Sequence, residues 1–104
     1  MTKIFHKSEE RESSIHRAAS GGKLESVRYL VEECRANVEE NDVFIGYNPL
    51  HYASDKGHIE IVKYLIEQCH ANVEAKNNSG WNTLHFATWN GHNEVINYLK
   101  SLVH

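Results

Sequence analysis

The sequence predicts an all-α solenoid of stacked helix-turn-helix pairs, with β-hairpin-like loops projecting from one side. Three observations predict it. One phrase recurs: Asn48-Pro49-Leu50-His51-Tyr52-Ala53 is echoed by Asn82-Thr83-Leu84-His85-Phe86-Ala87 and, more loosely, by Ser13-Ser14-Ile15-His16-Arg17-Ala18. The phrase keeps a period: its histidines lie 35 residues (51 − 16) and 34 residues (85 − 51) apart, and Gly22, Gly57 and Gly91 repeat those spacings. Each phrase is followed by apolar residues at helical spacing, as in Val62, Leu65 and Ile66. A period of this size marks stacked supersecondary units that bury a core only against one another.

The first helix of each unit has a written start and stop. Ser13, Asn48 and Asn82 stand where a side-chain oxygen caps the free N–H groups of a helix. Pro49 follows its cap at the first helical position, where a missing N–H costs nothing. The glycines come about two turns later, where a left-handed residue closes a helix. This places first helices at 14–20, 49–55 and 83–89. The second helices follow at 24–33, 59–68 and 93–102, with Val27, Leu30 and Val31 repeating the pattern of Val62, Leu65 and Ile66. Cys34-Arg35-Ala36-Asn37-Val38-Glu39 and Cys69-His70-Ala71-Asn72-Val73-Glu74 then lead into polar, glycine-bearing loops at 37–47 and 72–81. Leu50, Ala53, Val62, Leu65, Leu84, Ala87 and Leu99 are the expected core.

This pattern resembles the ankyrin repeat, a unit of two helices and a β-turn with a T-P-L-H-x-A core. NPLHYA and NTLHFA match closely and SIHRAA loosely, over roughly residues 13 to 104. Residues 1–12 are then an extension, and the repeats fall at about 13–40, 41–75 and 76–104. Two departures stand out. Cys34-Arg35 and Cys69-His70 replace the glycine that usually closes the second helix, each one residue longer, and the Val38 to Gly46 segment holds a further residue. Both insertions are expected in loops, where they cost little.

Repeat one reads as an N-terminal cap. Arg17 stands in the column of Tyr52 and Phe86, and Ser26 in that of Ile61 and Val95, polar choices suited to an end face. Lys100 plays the same part at the other end, so both ends read as finished. Residues 1–12 read as a solvated extension, frayed or helical, rather than a targeting segment, with a fold-back of Ile4 and Phe5 over repeat one as the alternative.

The chain has 104 residues, 11 basic against 14 acidic, and no Lys/Arg cluster, so the electrostatic footprint of a nucleic-acid binder is missing. No apolar run approaches the ~20 residues that span a bilayer. The N-terminus lacks an apolar signal core. Two cysteines in a repeat domain point to a reducing, intracellular setting, cytoplasmic or nuclear.

The columns invite chemistry, and each has a structural reading. His16, His51 and His85 are one repeat apart, a helix-pair thickness of ~8–10 Å, whereas zinc needs nitrogens within ~2.1 Å of one point. The resemblance makes them structural, bonding backbone between repeats. Cys34 and Cys69 are likewise a repeat apart, beyond the ~7 Å reach of a disulfide. Cys69 beside His70 lacks an orienting acid or oxyanion donors. No catalytic residue, metal ligand or cofactor is assigned.

The resemblance implies that hairpin tips and first-helix ends line a concave binding face. These are Phe44, Ile45, Tyr47, Asp55 and Lys56 in the middle of the chain, and Asn78, Ser79, Trp81, Trp89 and Asn90 towards its end. Trp89 aligns with Ser20 and Asp55, so the scaffold does not require an aromatic there, and Tyr and Trp are enriched at binding hot spots. Tyr47 and Trp81, next to glycines, read equally well as packing between loops. The expected function is a monomeric, non-catalytic protein-binding module. A spacer or a piece of a longer array is the alternative, and an enzyme or metal protein comes last.

Overall fold

The computed structural model describes residues 14–102. Among the described residues six helices fall into three helix-turn-helix units: α1 (Ser14–Ser20) with α2 (Leu24–Glu32), α3 (Pro49–Lys56) with α4 (Ile59–Lys63), and α5 (Thr83–Trp89) with α6 (Asn93–Ser101). No strand occurs among the described residues. The expected cap Ser13 and the extension 1–12 lie outside them.

The first helices begin where their caps are. Asn48 accepts the His51 N–H at 2.8 Å, and the Asn48 N–H donates to His51 Nδ1 at 3.1 Å. Asn82 and His85 repeat the exchange at 3.1 and 3.0 Å. Two of the N–H groups that a helix start leaves free are thereby satisfied reciprocally. Pro49 occupies the first helical position, and Gly57 closes α3 at φ 77°.

Successive first helices pack side by side, α1 on α3 and α3 on α5. Ala19, Ala53 and Ala87 are fully buried along that line, and small side chains let the helices approach closely. Leu50, Val62, Leu65 and Leu99 are buried as expected, with Val27, Ile61 and Val95 beside them. Leu84 is the exception: it is only half-buried. Its column mate Leu50 is covered by the third unit, and no described unit covers Leu84.

The second helix of the middle unit is not α-helical throughout. From Tyr64 to Gln68 it widens into a π turn, and the Cys69 N–H reaches back five residues to the Tyr64 carbonyl at 3.3 Å. The Cys34 N–H reaches the Tyr29 carbonyl at the same distance. The extra residue read from the sequence as a loop insertion is thus absorbed in the last helical turn. The next residues, Arg35 and His70, take left-handed φ of 61° and 58°. Ala36 and Ala71 then close the helices onto Leu30 and Leu65, both at 2.9 Å. Arg35 and His70 therefore occupy the terminal position that glycine usually holds.

Candidate functional site

The histidines are struts. His16 Nε2 lies 2.6 Å from the Glu40 carbonyl, and His51 Nε2 lies 2.8 Å from that of Ala75, tying each first helix to the loop ahead. A second set points backwards. His58 Nε2 meets the Ser20 carbonyl at 3.0 Å and His92 Nε2 meets that of Asp55 at 2.8 Å. These rings lie over glycines: a Cβ on Gly22 would stand 2.7 Å from the His58 ring, and one on Gly57 would stand 2.6 Å from the His92 ring. Gly22 and Gly57 are needed both for positive φ and for this close approach.

The loops are held by short polar side chains. Asp42 is buried, and its Oδ1 accepts the N–H groups of Phe44, Ile45 and Gly46 at 2.9, 2.9 and 3.3 Å. The Tyr52 hydroxyl donates to Oδ2. Burial raises the carboxyl pKa, but the Tyr52 hydroxyl and the three N–H donors outweigh it and hold the group below its usual value. Asn77 does the same work in the second loop, accepting from Ser79 at 3.0 Å and Trp81 at 2.9 Å. The sequence reading missed both. Their signal was there: an Asp or Asn stands shortly before each loop glycine, Gly46 and Gly80.

Asp42 fixes the turn that presents Val43, Phe44 and Ile45, which are 70%, 62% and 45% exposed. Val43 was not among the residues predicted from sequence. The Ile45 carbonyl accepts the Asn78 N–H at 3.4 Å, so the two loops touch. Asn78, Ser79 and Lys56 are exposed. Asp55 accepts from the Asn90 amide at 2.8 Å and lies 4.0 Å from the Lys56 ammonium.

The aromatic residues split. Tyr47 is half-buried in a ladder of rings, 5.1 Å from Tyr52 and 4.6 Å from Phe86. Trp81 is half-buried too, 5.4 Å from Phe86 and 5.9 Å from His85. Trp89 is 76% exposed and touches Trp81 edge-on at 5.6 Å. Trp81 and Trp89 thus form one patch, while Tyr47 lies inside the stack.

The tyrosine column links second helices. Tyr64 donates to Glu32 at 2.9 Å and Tyr98 to Glu67 at 2.6 Å. Burial, then the Glu67 partner, pushes the Tyr98 hydroxyl up to about 12. Both thiols are free, Cys34 exposed and Cys69 half-buried. Among the described residues no group of three His, Cys, Asp or Glu side chains is placed to hold a metal ion, and no helix is long and apolar enough to cross a membrane.

This is a scaffold of stacked helix pairs that presents side chains on its loops and first-helix ends. The family model for ankyrin repeats, in three copies, matches residues 15–102, and the chain belongs to the ankyrin repeat family, whose repeats are protein-protein interaction modules. No curated protein matches it. Among solved structures it is similar to a chain in the complex of a predatory endopeptidase from Bdellovibrio bacteriovorus with an immunity protein. The TM-score is 0.79 at 32% identity, over 86% of this chain and 46% of that one. The chain therefore spans less than half the length of this relative.

Proposed function

We propose that the chain is a non-catalytic module that binds a protein partner through its loop tips and first-helix ends, using Phe44, Ile45, Trp81 and Trp89 as apolar anchors. One observation carries the reading. Large apolar side chains are exposed on backbone that is held rigid, by Asp42 beneath Phe44 and Ile45 and by the end of α5 beneath Trp89. Preordered anchors lose little freedom on binding, which raises affinity for a given contact area. Asp55, Lys56, Asn78, Ser79 and Asn90 supply a polar rim. Tyr47 supports the surface from within. The unit boundaries near 13–40, 41–75 and 76–104, a monomeric state and an intracellular setting belong to the same reading. The relative of known structure comes from an enzyme–immunity protein complex, in keeping with a folded protein as partner.

The test is a partner captured by crosslinking and then titrated against single variants. Trp89→Ala is expected to weaken the complex by about 2–4 kcal/mol, the size of a hot-spot truncation. Its unfolding free energy should stay within about 0.5 kcal/mol of the parent's, as for an exposed site. Undiminished affinity in Trp89→Ala, Trp81→Ala and Phe44→Ala alike would remove this surface from the account.

A further inference from the structure

Asn90 is the only asparagine in the sequence that is followed by glycine. In the same column Gly57 follows Lys56 and Gly22 follows Gly21, so the scaffold does not ask for asparagine there. Asparagine is a chemically labile residue. It is most labile before glycine, where no side chain hinders attack by the next backbone nitrogen on the amide carbon.

The structure holds this amide by two bonds. Asn90 Nδ2 donates to Asp55 Oδ1 at 2.8 Å and to the Phe86 carbonyl at 3.0 Å. Both partners only accept, which fixes the end of the amide that faces them. Asp55 belongs to the second unit, and its carbonyl also takes the His92 imidazole at 2.8 Å. One residue of the second unit therefore receives two bonds from the third. The backbone is set against reaction as well. The Gly91 N–H donates to the Thr88 carbonyl at 3.2 Å. Asn90 has ψ 1°, so the Gly91 nitrogen eclipses the Asn90 nitrogen. Closing a five-membered ring needs that nitrogen beside Cβ instead, within reach of Cγ.

We propose that Asn90–Gly91 is a deamidation site gated by the joint between the second and third units. The proposal concerns the joint itself and does not depend on whether the loop tips bind a partner. Opening the joint frees the amide from Asp55 and lets the Gly91 turn rotate. The Gly91 nitrogen then gives its proton to solvent and bonds to Asn90 Cγ. The Cγ–Nδ2 bond breaks, and Nδ2 takes up a proton and leaves as ammonia. Water opens the cyclic imide at one of its two carbonyls, giving an aspartyl or an isoaspartyl link. In sum, one water is consumed and one ammonia released. Neither product restores the joint. The aspartyl product sets a carboxylate against that of Asp55 where an amide had donated, and like charges at that range repel. The isoaspartyl product adds a carbon to the main chain between α5 and His92, which displaces the imidazole from the Asp55 carbonyl. The modification is a one-way loosening of the joint at the foot of Trp89.

The experiment incubates the full chain at neutral pH, folded and in urea, and maps aspartyl and isoaspartyl products by peptide. In urea Asn90 is expected to convert ahead of every other asparagine. In the folded chain it should convert about tenfold or more slowly, because only the open fraction reacts. Asp55→Ala should speed conversion in the folded state beyond that of the parent brought to the same stability with urea. Asn90→Asp, which reproduces the aspartyl product, should raise the unfolded-to-folded ratio by about fivefold or more. Adding Asp55→Asn should recover the loss, with donor and acceptor exchanged. Another asparagine converting first in urea overturns the site. Equal rates in the folded and unfolded chain, or Asp55→Ala no faster than the stability-matched parent, overturn the gating. Asn90→Asp as stable as the parent overturns the loosening.

Discussion

His51 fits its site in one neutral tautomer. Nδ1 accepts the Asn48 N–H, so the ring proton sits on Nε2 and donates to the Ala75 carbonyl. Burial lowers its pKa below the usual histidine value, against smaller opposing effects of the Ala75 bond and the Glu39 charge. The folded chain therefore refuses a proton that the unfolded chain takes up near pH 6.5. Stability is complete above that pH and falls as the pH drops below it. Urea midpoints measured between pH 7.5 and 5.5, a range chosen to span roughly that pKa, should decline, and the decline should be shallower in His51→Gln. An equal slope in both would assign the pH dependence elsewhere. Asp42 makes a second residue-scale case. Asp42→Ala strands three loop N–H groups and should cost about 1–3 kcal/mol, with faster amide exchange at residues 44–46 as the direct readout. The sequence marks Asp42 only by its place before Gly46; its weight comes from the three backbone N–H groups that converge on it.

At the scale of an element, the glycine turns separate backbone strain from steric fit. Gly57 and Gly91 share a left-handed φ, but only Gly57 has an imidazole over it. Gly91→Ala should cost the left-handed penalty alone, about 1–2 kcal/mol. Gly57→Ala should cost at least about 1 kcal/mol more, because the His92–Asp55 bond is pushed apart as well. Equal losses in chemical denaturation would mean that the ring simply moves aside. The π turn gives the opposite kind of variant. His70 holds a left-handed φ without being glycine, so His70→Gly should stabilise by a few tenths to about 1 kcal/mol. The same turn half-buries Cys69 and, by burial first, pushes its thiol up, while Cys34 is exposed. Iodoacetamide at neutral pH should therefore label Cys34 well before Cys69, as peptide mapping would show.

The whole stack follows from its period, and Leu65 sits at its centre. Leu65→Ala should cost about 2–5 kcal/mol, a large share of the ~5–15 kcal/mol of a small domain. An unmoved melting temperature would count against the core as described. The helices were legible in the sequence because their signals are local: a cap, a proline, a glycine, a three-four spacing. What was not legible depends on neighbours. Leu50 and Leu84 have the same local sequence context, yet one is buried and the other half-open, because only one has a unit laid over it. The inserted residues before Arg35 and His70 had two places to go, and hydrogen bonding chose the helix end over the loop.

Gly22 and Gly57 also bear on how the chain finds this arrangement. Two packed first helices offer several slipped pairings, since each presents an apolar line that the other can accept at more than one register. A pairing displaced along the chain would put a side chain under His58 or His92 where the native joint has none. The native seat leaves no space even for a methyl group at Gly22 or Gly57. Each glycine thus acts as a ruler mark between consecutive units. It raises the energy of a joint slipped along its own helices by leaving room for the imidazole at one register only, and because Gly22, Gly57 and Gly91 recur in every unit it sets the register of each joint.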